Sequence, residues 1–223
     1  MTGVNGESRT YSSPLRRRMA GETRAAVLRA AHDLFVRQGY GATTVEQVAT
    51  AAGVSKPTVF SAVGNKQTLL KVVRDVAMAG DDEPVAVSDR PIAEQMRAEP
   101  DQDRAIALAA AAITGVSRRY AAVDGVLRGA AAAGEEGLSE LWETSEAQRL
   151  VGARMWMTVL AAKRPPPEGF DLDAAVDQLW LYMAPDQYAR LVHGRGWSDE
   201  RVEAWMAGRL RGLLQHPDKA PAQ

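Results

Sequence analysis

The sequence predicts an all-α fold of about nine helices, and three observations carry that prediction. Apolar residues recur at three- and four-residue spacing along most of the 223 residues. No segment alternates with period two beside turn signals, so no sheet is expected. Helix-starting and helix-stopping residues punctuate the chain at matching intervals.

The first 20 residues are rich in Ser, Thr, Gly, Asn and Arg and show no period, so a disordered basic arm is expected there. From Glu22 the pattern changes. Val27, Ala30, Ala31, Leu34 and Phe35 share one helical face, and Gly39 is placed to stop that helix as a left-handed cap. A capping box, Thr44 with Gln47 or Thr43 with Glu46, starts a second helix from Val45 to about Ala52. Gly53 ends it. Ser55 caps a third helix, with Pro57 tolerated in its first turn. Gly64 and Asn65 break this helix, and Lys66 opens a fourth with Leu69, Val72, Val73 and Val76 facing inward, ending by Gly80. Residues 81–100 read as a linker with one helical piece, Ile92 to Ala98.

Beyond the linker, Ile106, Ala109, Ala110, Ile113 and Tyr120 mark a fifth helix, and Val123 to Ala133 a sixth. A seventh begins near Leu138 and is stopped by Pro165, Pro166 and Pro167. An eighth carries Leu172, Ala175, Val176, Leu179 and Met183, is interrupted near Pro185 and resumes to His193. Ser198 caps a ninth with Val202, Trp205, Met206, Leu210 and Leu213 on one face.

Composition narrows the chemistry. Cysteine is absent, which excludes disulfides, thiolate nucleophiles and zinc–thiolate clusters. His32, His193 and His216 are not spaced as metal ligands, and no phosphate-binding glycine loop or nucleophile elbow occurs. The residues therefore call for no catalytic group, no metal and no cofactor, and nothing in them supports an all-α enzyme. The longest uncharged run, Ala105 to Ser117, is 13 residues, short of the roughly 20 that cross a bilayer. With no apolar leader of signal-peptide type, a cytoplasmic location is expected. The net charge of −1 hides an asymmetry: residues 1–80 hold eleven Lys/Arg against five acids, a net of +6, and the remainder a net of −7. A basic head on an acidic body suits a head that meets a polyanion.

The second and third helices are short and joined by Ala52-Gly53-Val54-Ser55. That is a helix-turn-helix signature. Ala49 is small where the helices approach, Gly53 can take the positive φ of a sharp turn, and Val48, Val54, Val59 and Val63 fill the space between. Ser55, Lys56, Thr58 and Ser61 are then presented outward, groups suited to phosphates and base edges.

The run Thr44-Val45-Glu46-Gln47-Val48-Ala49, Ala52 to Phe60 and Val63-Gly64-Asn65-Lys66-Gln67-Thr68-Leu69-Leu70 resembles the TetR family of bacterial transcriptional regulators, closely over residues 21–80. The later block around Leu179 to Tyr182 and Gly194 to Ser198 is similar to the last two helices of many members. The resemblance implies a helix-turn-helix DNA-binding domain at 21–80 and a ligand-binding and dimerisation domain at 81–223. It also implies a homodimeric repressor released from a near-palindromic operator by a small molecule. The family's DNA contacts fall on Thr44, Ser55, Lys56, Pro57, Thr58, Phe60, Ser61 and Lys66. Thr44 and Lys66 stand at helix N-termini that favour phosphate. The family's usual Tyr is Phe60 here, and Ser61 and Ala62 stand where basic or aromatic residues are frequent. Arg16, Arg17 and Arg18 read equally as a minor-groove arm or as a solvated tail.

In the body, Val151 to Ala162 is apolar around most of its circumference. It reads as core packing or as the wall of a ligand cavity. Tyr120, Trp142, Gln148, Trp156 and Tyr182 are the candidate lining, for a largely apolar, aromatic-tolerant ligand. Trp180, Met183, Trp205, Met206 and Leu210 make the last two helices rich in large apolar groups; half of them read equally as the chain's own core, and the resemblance implies a four-helix dimer interface from these helices. The alternative reading is a helical ligand-binding or adaptor protein whose DNA-binding head is degenerate.

Overall fold

The computed structural model describes residues 14–82 and 90–215. Among them lie ten α-helices and one π-helical turn, and no strand. In chain order these are α1 (Pro14–Ala42), α2 (Val45–Ala52), α3 (Lys56–Ala62), α4 (Lys66–Ala79), α5 (Pro91–Ala98), α6 (Gln102–Ala132), α7 (Leu138–Lys163), α8 (Leu172–Tyr182), α9 (Pro185–Ala189), the π turn (Arg190–Gly194) and α10 (Asp199–Gln215). The all-α prediction holds. Residues 1–13 of the expected arm, and His216, lie outside the described residues.

The short helices start where local chemistry says they should. Thr44 Oγ1 accepts from Gln47 N at 3.2 Å and Gln47 Oε1 accepts from Thr44 N at 2.9 Å, a reciprocal capping box. Of the two boxes weighed, this one forms because Thr43 is buried and donates instead to Gly39 O at 2.8 Å. Gly53 ends α2 in the left-handed region (φ 68°, ψ 30°), Ser55 caps α3 by accepting from Thr58 N, and Asn65 caps α4 likewise.

Four expectations need correction. Residues 14–20 are not an unstructured arm: α1 begins at Pro14, a residue suited to a first turn. Gly39 breaks α1 with φ 80° and ψ 169°, outside the left-handed helical region and accessible in practice only to glycine. The expected fifth and sixth helices are one, α6, because nothing at Ala121-Ala122 interrupts the backbone ladder. Finally, α6 is long and apolar enough by composition to cross a bilayer. Here it is the central helix, contacting α1, α4, α5, α7, α9 and α10 and burying residues along both faces.

Two large apolar cores are strung along α6, with a small third cluster of Ala121, Tyr188 and Val202 beside them. One gathers Val27, Ala31 and Phe35 of α1, Val48 of α2, Val59 of α3, and Leu69, Leu70 and Val73 of α4 against Tyr120, Val123 and Leu127 of α6. The other packs α5, the first half of α6, α7, α8 and α10 around Met96, Ile106, Met157, Leu160, Leu179 and Leu210. Arg24 ties α1 to α3 and to the residues after α4, donating to Ala62 O at 2.7 Å and pairing with Asp82 at 2.5 Å.

Candidate nucleic-acid interface and ligand cavity

The turn at Gly53 sets α3 across the surface. Val59 is fully buried and holds the helix down, with Val54 and Val63 half-buried beside it. The opposite face is open: Ser55, Lys56, Pro57, Phe60 and Ser61 are exposed, with Phe60 at 45%. Thr58 is half-buried, its hydroxyl 2.7 Å from that of Ser55.

The charges around this face are already engaged. Lys56 Nζ pairs with Glu46 of α2 and lies 6.0 Å from the Phe60 ring centroid. Lys56 holds the Glu46 carboxyl below its ordinary pKa. Ser61 Oγ donates back to Thr58 O at 3.0 Å. Lys66 Nζ sits 4.0 Å over the Tyr40 ring and donates to Gly41 O at 3.4 Å, so its stem is half-buried. Thr44 is exposed at the N-terminus of α2. Arg16, Arg17 and Arg18 are exposed on the first turns of α1, with Arg18 3.6 Å from Glu22.

The second feature is a cavity of about 1190 Å³ between α4, α6 and α7. It exceeds the usual 300–1,000 Å³ of small-molecule sites. Of the five predicted lining residues it brings together Tyr120, Gln148 and Trp156. Trp142 packs on the N-terminal core instead, and Tyr182 meets Trp205 edge-on at 5.8 Å; neither lines the cavity. Part of the wall is apolar (Val72, Val76, Ile113, Val116, Met155, Met183). Sequence reasoning missed the rest, the arginines Arg24, Arg74, Arg90, Arg119 and Arg149 with Asp75, Asp81, Asp82 and Glu146. A signal existed for one of them. Arg74 lies on the stripe Leu70, Val73, Ala77 of α4, and a charge on an apolar stripe is either buried with partners or lining a space.

Burial pushes the Tyr120 hydroxyl up to about 12, with the Asp124 carboxylate adding to it. Burial likewise raises Asp124 above the ordinary carboxylate range. Of the residues expected at a dimer interface, Met206 and Leu210 are buried in the chain's own core, where α10 packs on α6 and α8. No partner could reach them. Trp180, Met183 and Trp205 are half-buried. Among the described residues no three His, Cys, Asp or Glu side chains gather as metal ligands would.

Residues 27–73 match the family profile described as bacterial regulatory proteins, tetR family. No curated protein matches the chain in sequence. Solved structures share its fold at low identity. The fatty acid degradation regulator FadR from Bacillus halodurans aligns with TM-score 0.66 and 17% identity, over 89% of this chain and 97% of its own. The transcriptional regulator FadR from Bacillus subtilis, in complex with stearoyl-CoA, gives 0.63 and 17% over 85% and 97%. A protein from Mesorhizobium loti assigned to the TetR-family transcriptional regulators gives 0.64 and 18% over 87% and 96%. Residues 27–73 thus match the N-terminal domain of the TetR family, and the chain shares its fold with solved TetR-family transcriptional regulators.

Proposed function

We propose that the protein is a homodimeric transcriptional repressor. The open face of α3 docks in the major groove of a near-palindromic operator, and a small molecule in the cavity releases it. The observation that carries this reading is α3 itself: anchored by Val59, it turns Ser55, Lys56, Pro57, Phe60 and Ser61 outward on the basic end of the chain. Thr44 and Lys66, at the N-terminal ends of α2 and α4, flank it as phosphate contacts.

The link from cavity to head is α4. Its first turn abuts the helix-turn-helix, and Val72, Arg74, Asp75 and Val76 further along it line the cavity. A molecule lodged there presses on the helix that carries the head. It can shift the DNA-bound population only by its differential affinity for the two arrangements. A large, partly apolar cavity suits a large amphipathic ligand, as in the Bacillus subtilis relative that holds stearoyl-CoA. For the dimer, Leu181 of α8 is 52% exposed, and Trp205, Gly208 and Gly212 share one stripe of α10 on which added side chains would meet open space at both glycines. Two copies would set their α3 helices about 34–36 Å apart.

The paired state of Lys56 supports the second reading, a ligand-binding or adaptor protein with a degenerate head, because Glu46 competes with phosphate for it. Salt titration of DNA binding separates the two. Lys66→Ala is expected to weaken binding to all sequences alike and to lower the slope of log affinity against log salt by about one unit. An intact dimer with no sequence-specific shift even at low salt contradicts the repressor and favours the adaptor.

A further inference from the structure

The polar part of the cavity wall is asymmetric in what it can bind. Each carboxylate on the described wall already has an arginine: Asp75 holds Arg74 at 2.6 Å, Asp82 holds Arg24, Asp81 holds Arg90 and Glu146 holds Arg149. A cationic ligand would have to displace one of them. The arginines are not used up in the same way. The Arg74 side chain is 5% exposed; its two terminal nitrogens serve Asp75 and the Gln148 amide oxygen, while its Nε is buried without an acceptor in the protein. Arg149, 13% exposed, pairs with Glu146 and stacks 4.8 Å from the Trp180 ring, and its Nε is orphaned too. Arg119, the fifth arginine of the wall, donates to the carbonyls of Ala77 and Met78 at 3.2 and 3.3 Å. Asp124, the acid buried behind Tyr120, is not part of the wall, and burial favours its neutral form.

A buried guanidinium N–H with no acceptor is a strong, directional request for one, and arginine meets acidic groups in two-point geometry. The apolar part of the same wall includes Val72, Val116, Met155, Trp156 and Met183. Resting on the ligand-cavity reading above, we propose that the ligand is an amphipathic acid: its anionic group is taken by Arg74 and Arg149, with the Gln148 amide alongside, and its apolar body lies against the methionines, valines and Trp156. Of the three polar groups only Arg74 stands on α4, so an acid that replaces Gln148 as its partner alters the tie between α4 and α7.

The test uses the full-length protein and the neutral fluorophore N-phenyl-1-naphthylamine, displaced by ten-carbon probes below their aggregation concentrations: decanoate, decanol and decylamine. Decanoate is expected to bind about tenfold or more tighter than decanol, and decylamine weakest. In Arg74→Gln the acid-to-alcohol ratio falls to about twofold, while helicity and the fluorophore's affinity stay within about threefold. Arg149→Gln gives a second, smaller loss should Arg74→Gln not fold. Fluorophore binding with equal affinity for acid and alcohol, or a ratio untouched in a folded Arg74→Gln, overturns the acidic head group and leaves the cavity reading standing. Binding by neither the fluorophore nor any probe overturns both.

Discussion

Tyr120 joins the two halves of the molecule: it belongs to the N-terminal core and also lines the cavity. Burial disfavours the phenolate, so the folded-state value rises to about 12 from the ordinary 10.0. The sign of the pH dependence follows. Between those values the unfolded chain releases a proton that the folded chain keeps, so the stability tied to Tyr120 is complete below pH 10.0 and is lost as pH rises towards about 12. Followed by the ultraviolet absorbance of phenolate, Tyr120→Phe should remove a late-titrating tyrosine and flatten the alkaline fall in stability. A variant whose alkaline titration and stability profile overlay those of the parent contradicts the assignment. At this scale the exposed Lys56–Glu46 pair contributes little to stability, since pairs in water are weak, and so it costs little to exchange Glu46 for a phosphate.

At the scale of elements, the helix-turn-helix depends on two glycines for different reasons. Gly53 holds φ 68° in open space, so Gly53→Ala carries a conformational cost alone, about 1 kcal/mol. Gly64 holds φ 135°, and an added Cβ would stand 3.0 Å from Thr68, so Gly64→Ala carries a steric cost as well. Urea unfolding should rank Gly64→Ala as the more destabilised; equal midpoints would contradict that reading. These turns were legible in the sequence because capping is local: Thr44, Ser55 and Asn65 each act on a backbone N–H three residues ahead. The misread elements lacked such local signals. Residues 14–20 have no apolar period, yet continue α1 outward into solvent. The break expected between Tyr120 and Val123 has no Pro or cap to enforce it, and α6 runs through.

On the whole-molecule scale, the acids and arginines of the cavity were illegible because their placement is tertiary. Arg24, the stretch from Arg74 to Asp82, and the pair Gln148 and Arg149 are distant from one another in sequence, and only the packing of α1, α4, α6 and α7 brings them to one space. The same packing makes the N-terminal core dependent on α6, which supplies Tyr120, Val123 and Leu127 to it. Under the proposed function, this shared core is the route by which a disturbance of α6 or α4 in the cavity would reach α3. The docking of α3 on duplex DNA is the claim on which the rest depends, and selection of bound duplexes from a random pool by the full-length protein tests it most directly. The account predicts enrichment of a two-fold symmetric site with half-sites about 34–36 Å, or 10–10.5 base pairs, apart, or a multiple of that spacing. A pool that stays unenriched at low salt, or that yields asymmetric sites without a repeated half, would contradict it.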